Sequence, residues 1–267
     1  MFTHDASNTP LQAAIELIAE KISIPAPTAG LLRLRLLNLL QRSLESCSST
    51  IISGRAGMGK TTLARQFAES CERAVAWYKV DAPDSELRIF FRYLAASITR
   101  QRPHFGDGAM QCLLRNPGAD QFPLLAEAFV FELEKETGNP LLVVIEDLHL
   151  VCDADWFVPF FGRLLPLLPP NVHFLITSRT MPPAPLWRLR SKQALSVIDD
   201  EILAFTREEA VGLFESYNLT REQASIALDH SHGRAAALTT LAATLHFVEA
   251  ESTDHLVSTA RRRAEVA

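Results

Sequence analysis

The chain has 267 residues, of which 48% are hydrophobic and 21% charged, and its formal net charge is −5. These proportions exclude a disordered chain, and the acidic balance argues against a dedicated nucleic-acid-binding protein. The four cysteines show no C-x-x-C spacing, which excludes the common zinc and redox motifs, and Cys71 and Cys152 are predicted to be small buried residues. We find no signal peptide and no apolar run of 18 residues, so a cytoplasmic protein without a membrane span is expected.

The first 45 residues are predicted to form a helical lead-in. Thr9 followed by Pro10 is a helix-start signal, and apolar residues then recur at helical spacing as far as Ile22. A second helix is predicted over about residues 30–44. By themselves, the arginines within its apolar pattern, Arg33 and Arg35, would be a solvated flank.

A phosphate-binding signature occupies the next stretch, residues 49–62. Gly54, Gly59, Lys60 and Thr61 fit the pattern G-x-x-x-x-G-K-[ST] between an apolar run and a helical segment. Glycines let the backbone wrap around an anion, and the N–H groups of the following helix favour negative charge. The predicted nucleotide-binding residues are Gly54, Arg55, Ala56, Gly57, Met58, Gly59, Lys60, Thr61 and Thr62.

Apolar segments then alternate with helical patterns. Strands are predicted at residues 74–80, 141–145 and 172–177, with a weaker one at 194–198; a helix is expected over about 120–137 and a loop over 102–119. This alternation predicts an α/β fold, a three-layer P-loop NTPase with a mostly parallel sheet of about five strands. Functional side chains are then expected at the carboxyl ends of the strands.

Two of these strands end in chemically active residues. Glu146 and Asp147 follow the 141–145 run, and carboxylates are the ligands that Mg²⁺ prefers. Thr61, Glu146 and Asp147 are therefore the predicted Mg²⁺ site, the acids acting directly or through water. Arg179 follows the 172–177 run, where a guanidinium would contact a γ-phosphate. Asp147, Glu146 and Arg179 are the predicted catalytic residues, whereas His149 is expected to be a surface or supporting residue.

The pattern changes after Phe205. Three helices are predicted, over residues 206–216, 220–231 and 233–249, with no strand between them, and the first two begin with capping-box patterns. The predicted organisation is a lead-in over 1–45, a nucleotide-binding domain over 46–203 and a helical lid domain over 204–267.

Taken together, these motifs resemble the STAND-class signalling ATPases, and most closely the large LuxR-family regulators of the maltose-regulon-activator type. The resemblance covers residues 21–250. It is carried by residues 21–25, 33–37, 54–62, 77–81, 145–150, 177–179, 203–210 and 232–235.

The resemblance implies an ATP/ADP-binding switch with slow hydrolysis. ADP would hold a closed monomer, whereas ATP and an unknown inducer or partner protein would favour self-association. Lys60 and Thr61 would contact phosphates and Mg²⁺, and Arg179 would be the sensor arginine. Because no helix-turn-helix is recognisable, no DNA binding is expected from this chain alone.

Two positions depart from the family pattern. Glu146 stands where the family commonly has Asp, which bears on the hydrolysis rate, and the lid motif is Gly233-Arg234-Ala235, which bears on adenine contact. Two alternatives stay open at this stage. One is an AAA-like ATPase acting as a motor or remodelling subunit, and the other is a nucleotide-bound scaffold without turnover.

Overall fold

The computed structural model describes residues 17–27, 30–106, 109–115, 118–135 and 138–248. The strands are β1 (Ser49–Ser53), β2 (Ala74–Lys79), β3 (Leu141–Glu146), β4 (Val172–Ser178) and β5 (Ser196–Ile198). The α-helices are α1 (Leu34–Ser46), α2 (Lys60–Ser70), α3 (Leu87–Thr99), α4 (Ala109–Arg115), α5 (Phe122–Lys135), α6 (Phe157–Leu167), α7 (Ala184–Trp187), α8 (Asp200–Leu203), α9 (Arg207–Glu215), α10 (Arg221–Ser231) and α11 (residues 235–248).

The five strands form one sheet in the order β2-β3-β4-β1-β5, and every neighbouring pair is parallel. The predicted three-layer α/β fold with a mostly parallel sheet is therefore confirmed. β4 lies between β1 and β3. The carboxyl ends of these three strands therefore meet at one edge of the sheet, which places the phosphate-binding loop, Arg179 and the acids side by side.

Side chains alternate between the two faces of the sheet and enter two cores. Ile51, Val143 and Phe174 point into a large aromatic-rich core covered by α3, α5 and α6. Ile52 and Val144 point into a smaller core covered by α1 and α2. All residues of β1, β3 and β4 are buried. The continuous apolar run of β3, residues 141–145, is typical of a strand buried on both faces, whereas β1 and β4 also bury polar residues such as Ser49 and His173.

Residues 204–248, called the lid below, have a separate core of their own. It is built around Phe205, Leu213, Phe214, Leu219 and Leu238. The capping boxes predicted from the sequence are present at Thr206 with Glu209 and at Thr220 with Gln223. Because both boxes satisfy the free N–H groups of a first helical turn, they fix where α9 and α10 begin.

Some expected element bounds were wrong. The segment predicted as a loop over 102–119 contains helix α4, which the flanking glycines and prolines masked. The predicted 30–44 helix begins only at Leu34 and ends at Ser46, crossing the expected boundary at residue 45. The helix expected after Pro10 falls largely outside the described residues, and within them Ala19–Ile22 is a 3-10 helix.

The solvated flank predicted for Arg33 was also wrong. Arg33 is buried, at 6% exposure, because it bonds to the lid, whereas Arg35 is about one third exposed and bonds there too. Cys71 and Cys152 are half-buried rather than fully buried. In the described part of the chain, no helix is both long enough and apolar enough to cross a membrane.

Candidate nucleotide-binding site

The loop between β1 and α2 makes two turns that favour glycine. Gly57 has φ +82° and Gly59 has φ +84°, a left-handed backbone that residues with a Cβ rarely adopt. Met58 lies between them with its side chain buried in the core under α1 and α2, which anchors the loop. Helix α2 begins at Lys60 and no side chain caps its first turn. Its N–H groups therefore remain available to an anion.

The Lys60 side chain reaches back along this loop. Its Nζ donates hydrogen bonds to the carbonyl oxygens of Gly54 and Arg55, the second at 3.0 Å. Lys60 is only 8% exposed, and this burial lowers the pKa of its amine, while Asp147 acts in the opposite direction. The ammonium group is thus held at the loop by weak carbonyl acceptors that phosphate oxygens would outcompete.

The two acids at the end of β3 differ in their surroundings. Glu146 is buried and accepts a hydrogen bond from the Thr61 hydroxyl, so Thr61 contacts the first acid and not the second. Asp147 has a left-handed backbone, φ +57°, and its N–H donates to the Thr177 hydroxyl at 3.1 Å. This turn directs the two carboxylates differently, although they are adjacent in the sequence.

Arg179 and His149 both lie near Asp147. The Arg179 Nε and the His149 Nδ1 are each 3.8 Å from the Asp147 Oδ1. The Arg179 side chain is 55% exposed, so its guanidinium is free to move towards a ligand. Burial lowers the pKa of His149, which favours its neutral form, so His149 adds little charge to the site at neutral pH.

A cleft of about 520 Å³ opens over the loop and extends to the lid. This volume suits a nucleotide-sized ligand. The loop and sheet residues that line it are Ala56, Gly57, Gly59, Lys60, Thr61, Thr62, Leu63, Gln66, Asp147 and Arg179. The remaining lining residues are Gly30, Leu31, Arg33, Phe205, Ala235, Ala236, Thr239 and Thr240.

Three of the nine predicted loop residues lie away from this cleft. Met58 points into the core, and Gly54 packs against α8, where an added Cβ would lie 2.7 Å from the Asp200 carboxylate. Arg55 turns outward, and both its N–H and its side chain donate to Asp200. These three residues shape the loop, whereas the other six face the cleft.

The residues present fit a nucleotide with Mg²⁺. An uncapped helix start and a buried amine are suited to phosphates, and the Thr61 hydroxyl bonded to the Glu146 carboxylate is suited to a hard cation. Among the described residues, no cluster of three or more His, Cys, Asp or Glu is assembled to hold a metal alone. Mg²⁺ usually binds through one or two carboxylates together with substrate phosphates.

The chain matches the AAA ATPase domain family over residues 32–176, more than half of its length. It belongs to this family. The matched range contains the phosphate-binding loop and both acids, and it ends within β4. Nucleotide binding by this AAA ATPase domain follows from the family together with the loop.

Curated relatives of this AAA ATPase domain include the HTH-type transcriptional regulator MalT of Yersinia enterocolitica, 31% identical over 85% of this chain and 25% of that protein. The serine/threonine-protein kinase PknK of Mycobacterium tuberculosis is 30% identical over 88% of this chain and 21% of that protein. Among solved structures, the Walker-type ATPase of Pyrococcus abyssi is 14% identical over 86% of this chain and 75% of that chain, with a TM-score of 0.42. The chain spans about a quarter of the length of the curated relatives it matches.

Sequence analysis missed several residues of the AAA ATPase domain's cleft. Leu31, Phe205, Thr239 and Thr240 line it, yet none belongs to a recognised nucleotide motif. Arg33 was interpreted as a solvated flank and as part of the resemblance pattern, and neither interpretation placed it at the cleft. A signal did exist, because charged residues inside the apolar pattern that leads into α1 are unusual unless they are paired.

Proposed function

We propose that this chain is the ATP/ADP-binding switch module of a STAND-type signalling ATPase, the sensor core of a longer transcriptional regulator, and that it hydrolyses ATP slowly. One observation carries the proposal: the cleft over the phosphate-binding loop is walled on its other side by the lid. A bound nucleotide therefore contacts both parts, and its state biases their arrangement. The resemblance to MalT supports placing this switch in a regulator.

The polar residues predicted from the sequence have distinct roles in this proposal. Lys60 and the N–H groups of the loop bind the phosphates, while Thr61 and Glu146 hold Mg²⁺, which neutralises phosphate charge when bound. Asp147 lies beside them, orients the attacking water by accepting a hydrogen bond from it, and takes up its proton as the water attacks. In this proposal Arg179 contacts the third phosphate, the group that distinguishes ATP from ADP.

The switch operates through differential affinity. A ligand shifts a two-state equilibrium only by the difference between its affinities for the two states. In this proposal ADP stabilises the arrangement in which the lid (residues 204–248, within a lid domain over 204–267) rests on the nucleotide-binding domain (46–203). ATP, together with an inducer or partner protein, favours an open form that self-associates in the cytoplasm.

The test is to identify the nucleotide released from freshly purified protein and to measure its turnover. We expect retained ADP, and ATP hydrolysis well below about 1 per second, a low rate for an enzyme. ATP should also raise the mass measured by light scattering, whereas ADP should not. Rapid turnover with no retained nucleotide would instead support a motor or remodelling ATPase, and no binding of either nucleotide would refute the proposal.

A further inference from the structure

The lid contacts the phosphate-binding loop through two hydrogen-bond donors, beside the cleft that both parts line. The Arg234 Nε donates to the Ala56 carbonyl at 3.0 Å, and the Ala236 N–H donates to the Gly57 carbonyl at 2.8 Å. Both donors come from the start of α11, and both acceptors are consecutive loop residues. The lid is therefore bonded to the backbone of the loop itself.

The close approach depends on a glycine. A Cβ built on Gly57 would lie 2.8 Å from the Arg234 Nε and 3.0 Å from the Ala236 Cβ. Gly57 therefore serves two needs, since it allows a positive φ in the loop and leaves space for the lid. Gly233, with φ +73°, makes the turn that brings Arg234 to this position.

The orientation of these two carbonyls matters for phosphate binding. A loop that binds an anion with its N–H groups must turn those groups towards the anion. Because each peptide unit is planar, the direction of a carbonyl also sets the direction of the N–H group of the next residue. The two lid donors fix the directions of the Ala56 and Gly57 carbonyls, and with them the N–H groups of Gly57 and Met58, before a ligand arrives. Pre-organisation of this kind raises affinity, because less ordering has to occur on binding.

We propose that Arg234 is a positioning residue for phosphate binding, which acts through the Ala56 carbonyl and so couples the docked lid to the loop. This inference deepens the proposed nucleotide switch and rests on it. By linkage, phosphates that order the loop must strengthen lid docking by the same factor.

The experiment compares ligands with and without phosphates on the whole chain. Arg234→Met keeps an unbranched apolar side chain as far as the position of Nε and removes the guanidinium donors. We expect about tenfold weaker binding of ADP and of inorganic pyrophosphate by calorimetric titration, corresponding to about 1.4 kcal/mol. Binding of adenosine, followed by ligand-observed NMR, should stay within twofold of the wild type. Arg221→Met is the matched control, because it removes an exposed arginine from the same lid without touching the loop, and it should change none of these affinities.

A second variant addresses the other donor. Ala236→Pro removes the N–H that bonds to Gly57 in the first turn of α11, where proline is tolerated. We expect the same phosphate-selective loss. Equal losses for adenosine and ADP, or no loss in either variant, would overturn the role of the lid contacts. Failure of the wild type to bind ADP would instead refute the proposed function, so the two failures are distinguishable.

Discussion

Arg33 and Glu209 are 176 positions apart in the sequence, yet the Arg33 Nη2 lies 2.8 Å from the Glu209 Oε2. The same carboxylate accepts a bond from Arg35 at 3.3 Å and closes the capping box of α9 by accepting the Thr206 N–H at 3.1 Å. The Arg33 guanidinium also lies 4.1 Å from the ring centroid of Phe205. Because Arg33 and Phe205 both line the cleft, the ion pair that holds the lid borders directly on the cleft.

Glu209→Gln should destabilise the docked lid. The two side chains are only 7% and 12% exposed, so loss of the carboxylate leaves a buried guanidinium without its charge partner. We expect a loss of about 3 kcal/mol in the free energy of unfolding, measured by denaturant titration. Glu215→Gln is the control, because that glutamate pairs with Arg221 at the surface and should cost less than about 1 kcal/mol. Equal losses of stability in the two variants would show that the ion pair of Glu209 with Arg33 stabilises the docked lid no more than an exposed ion pair does.

His173 makes stability depend on pH. Burial lowers its pKa to about 4 from 6.5, while a bond to the Cys47 carbonyl acts in the opposite direction. In the folded protein the ring therefore stays neutral down to about pH 4, whereas the unfolded chain takes up the proton near pH 6.5. Stability is fully present above that pH and is lost as pH falls towards 4, by roughly 3 kcal/mol.

The measurement is the free energy of unfolding between pH 7 and pH 4.5 for the wild type and for His173→Gln. The variant should be less stable at pH 7, because its bonds to Thr50 and Cys47 are disturbed, but its stability should fall less as the pH drops. His230→Gln alters an exposed histidine and should leave the wild-type slope unchanged. A slope that does not change in the His173 variant would contradict the assignment.

The local features of the site could be predicted from the sequence, because each is carried by adjacent residues. The turns at Gly57 and Gly59, the start of α2 at Lys60 and the acids at the end of β3 all follow from short patterns. The parallel sheet followed from the alternation of apolar runs with helical segments. In a parallel sheet the carboxyl ends of the strands share one edge, so the site could be predicted to lie at the ends of β1, β3 and β4, which are neighbours in the structure.

Long-range pairs could not be predicted in this way. Glu209 has a complete local explanation as a capping-box residue, so nothing in its own segment indicates a second partner in Arg33. The contact of Arg234 with Ala56 likewise joins residues 178 positions apart. Such contacts depend on how the lid packs, which is set by the whole apolar surface of Phe205 and its neighbours rather than by any short motif.

Lys60→Ala should weaken the binding of both nucleotides. The amine is buried at the loop, bonded to the Gly54 and Arg55 carbonyls, and is the cation placed to meet the phosphates. We expect affinity for ADP and for ATP to fall at least tenfold, about 1.4 kcal/mol, in calorimetric titrations. Lys192→Ala, at an exposed 3-10 turn, is the control and should bind normally. Unchanged affinity in the Lys60 variant would mean that the loop does not bind phosphates.

Substitution of the two acids should affect Mg²⁺ binding and ATP hydrolysis separately. Glu146 contacts the Thr61 hydroxyl, so Glu146→Gln is expected to reduce the gain in ATP affinity that Mg²⁺ provides. Asp147 is more exposed and lies beside Arg179, so Asp147→Asn should leave Mg²⁺-dependent binding nearly unchanged and lower single-turnover hydrolysis at least tenfold. Titrations with and without Mg²⁺, paired with hydrolysis assays, test both parts. If Asp147→Asn reduced the Mg²⁺-dependent affinity and Glu146→Gln affected only hydrolysis, the roles assigned to the two acids would have to be exchanged.

Arg179→Ala should narrow the difference between ATP and ADP. Arg179 directly follows β4, which lies between β1 and β3 in the sheet. Its side chain is 55% exposed and lines the cleft beside Asp147. Because ADP lacks the third phosphate, its affinity should barely change, whereas ATP should lose a charge-assisted contact of about 1.5–3 kcal/mol. Paired calorimetric titrations at constant Mg²⁺ measure both affinities, with Arg188→Ala as a control away from the cleft. Equal losses for ATP and ADP would make Arg179 a structural or β-phosphate residue, and the sensor assignment would then have to be abandoned.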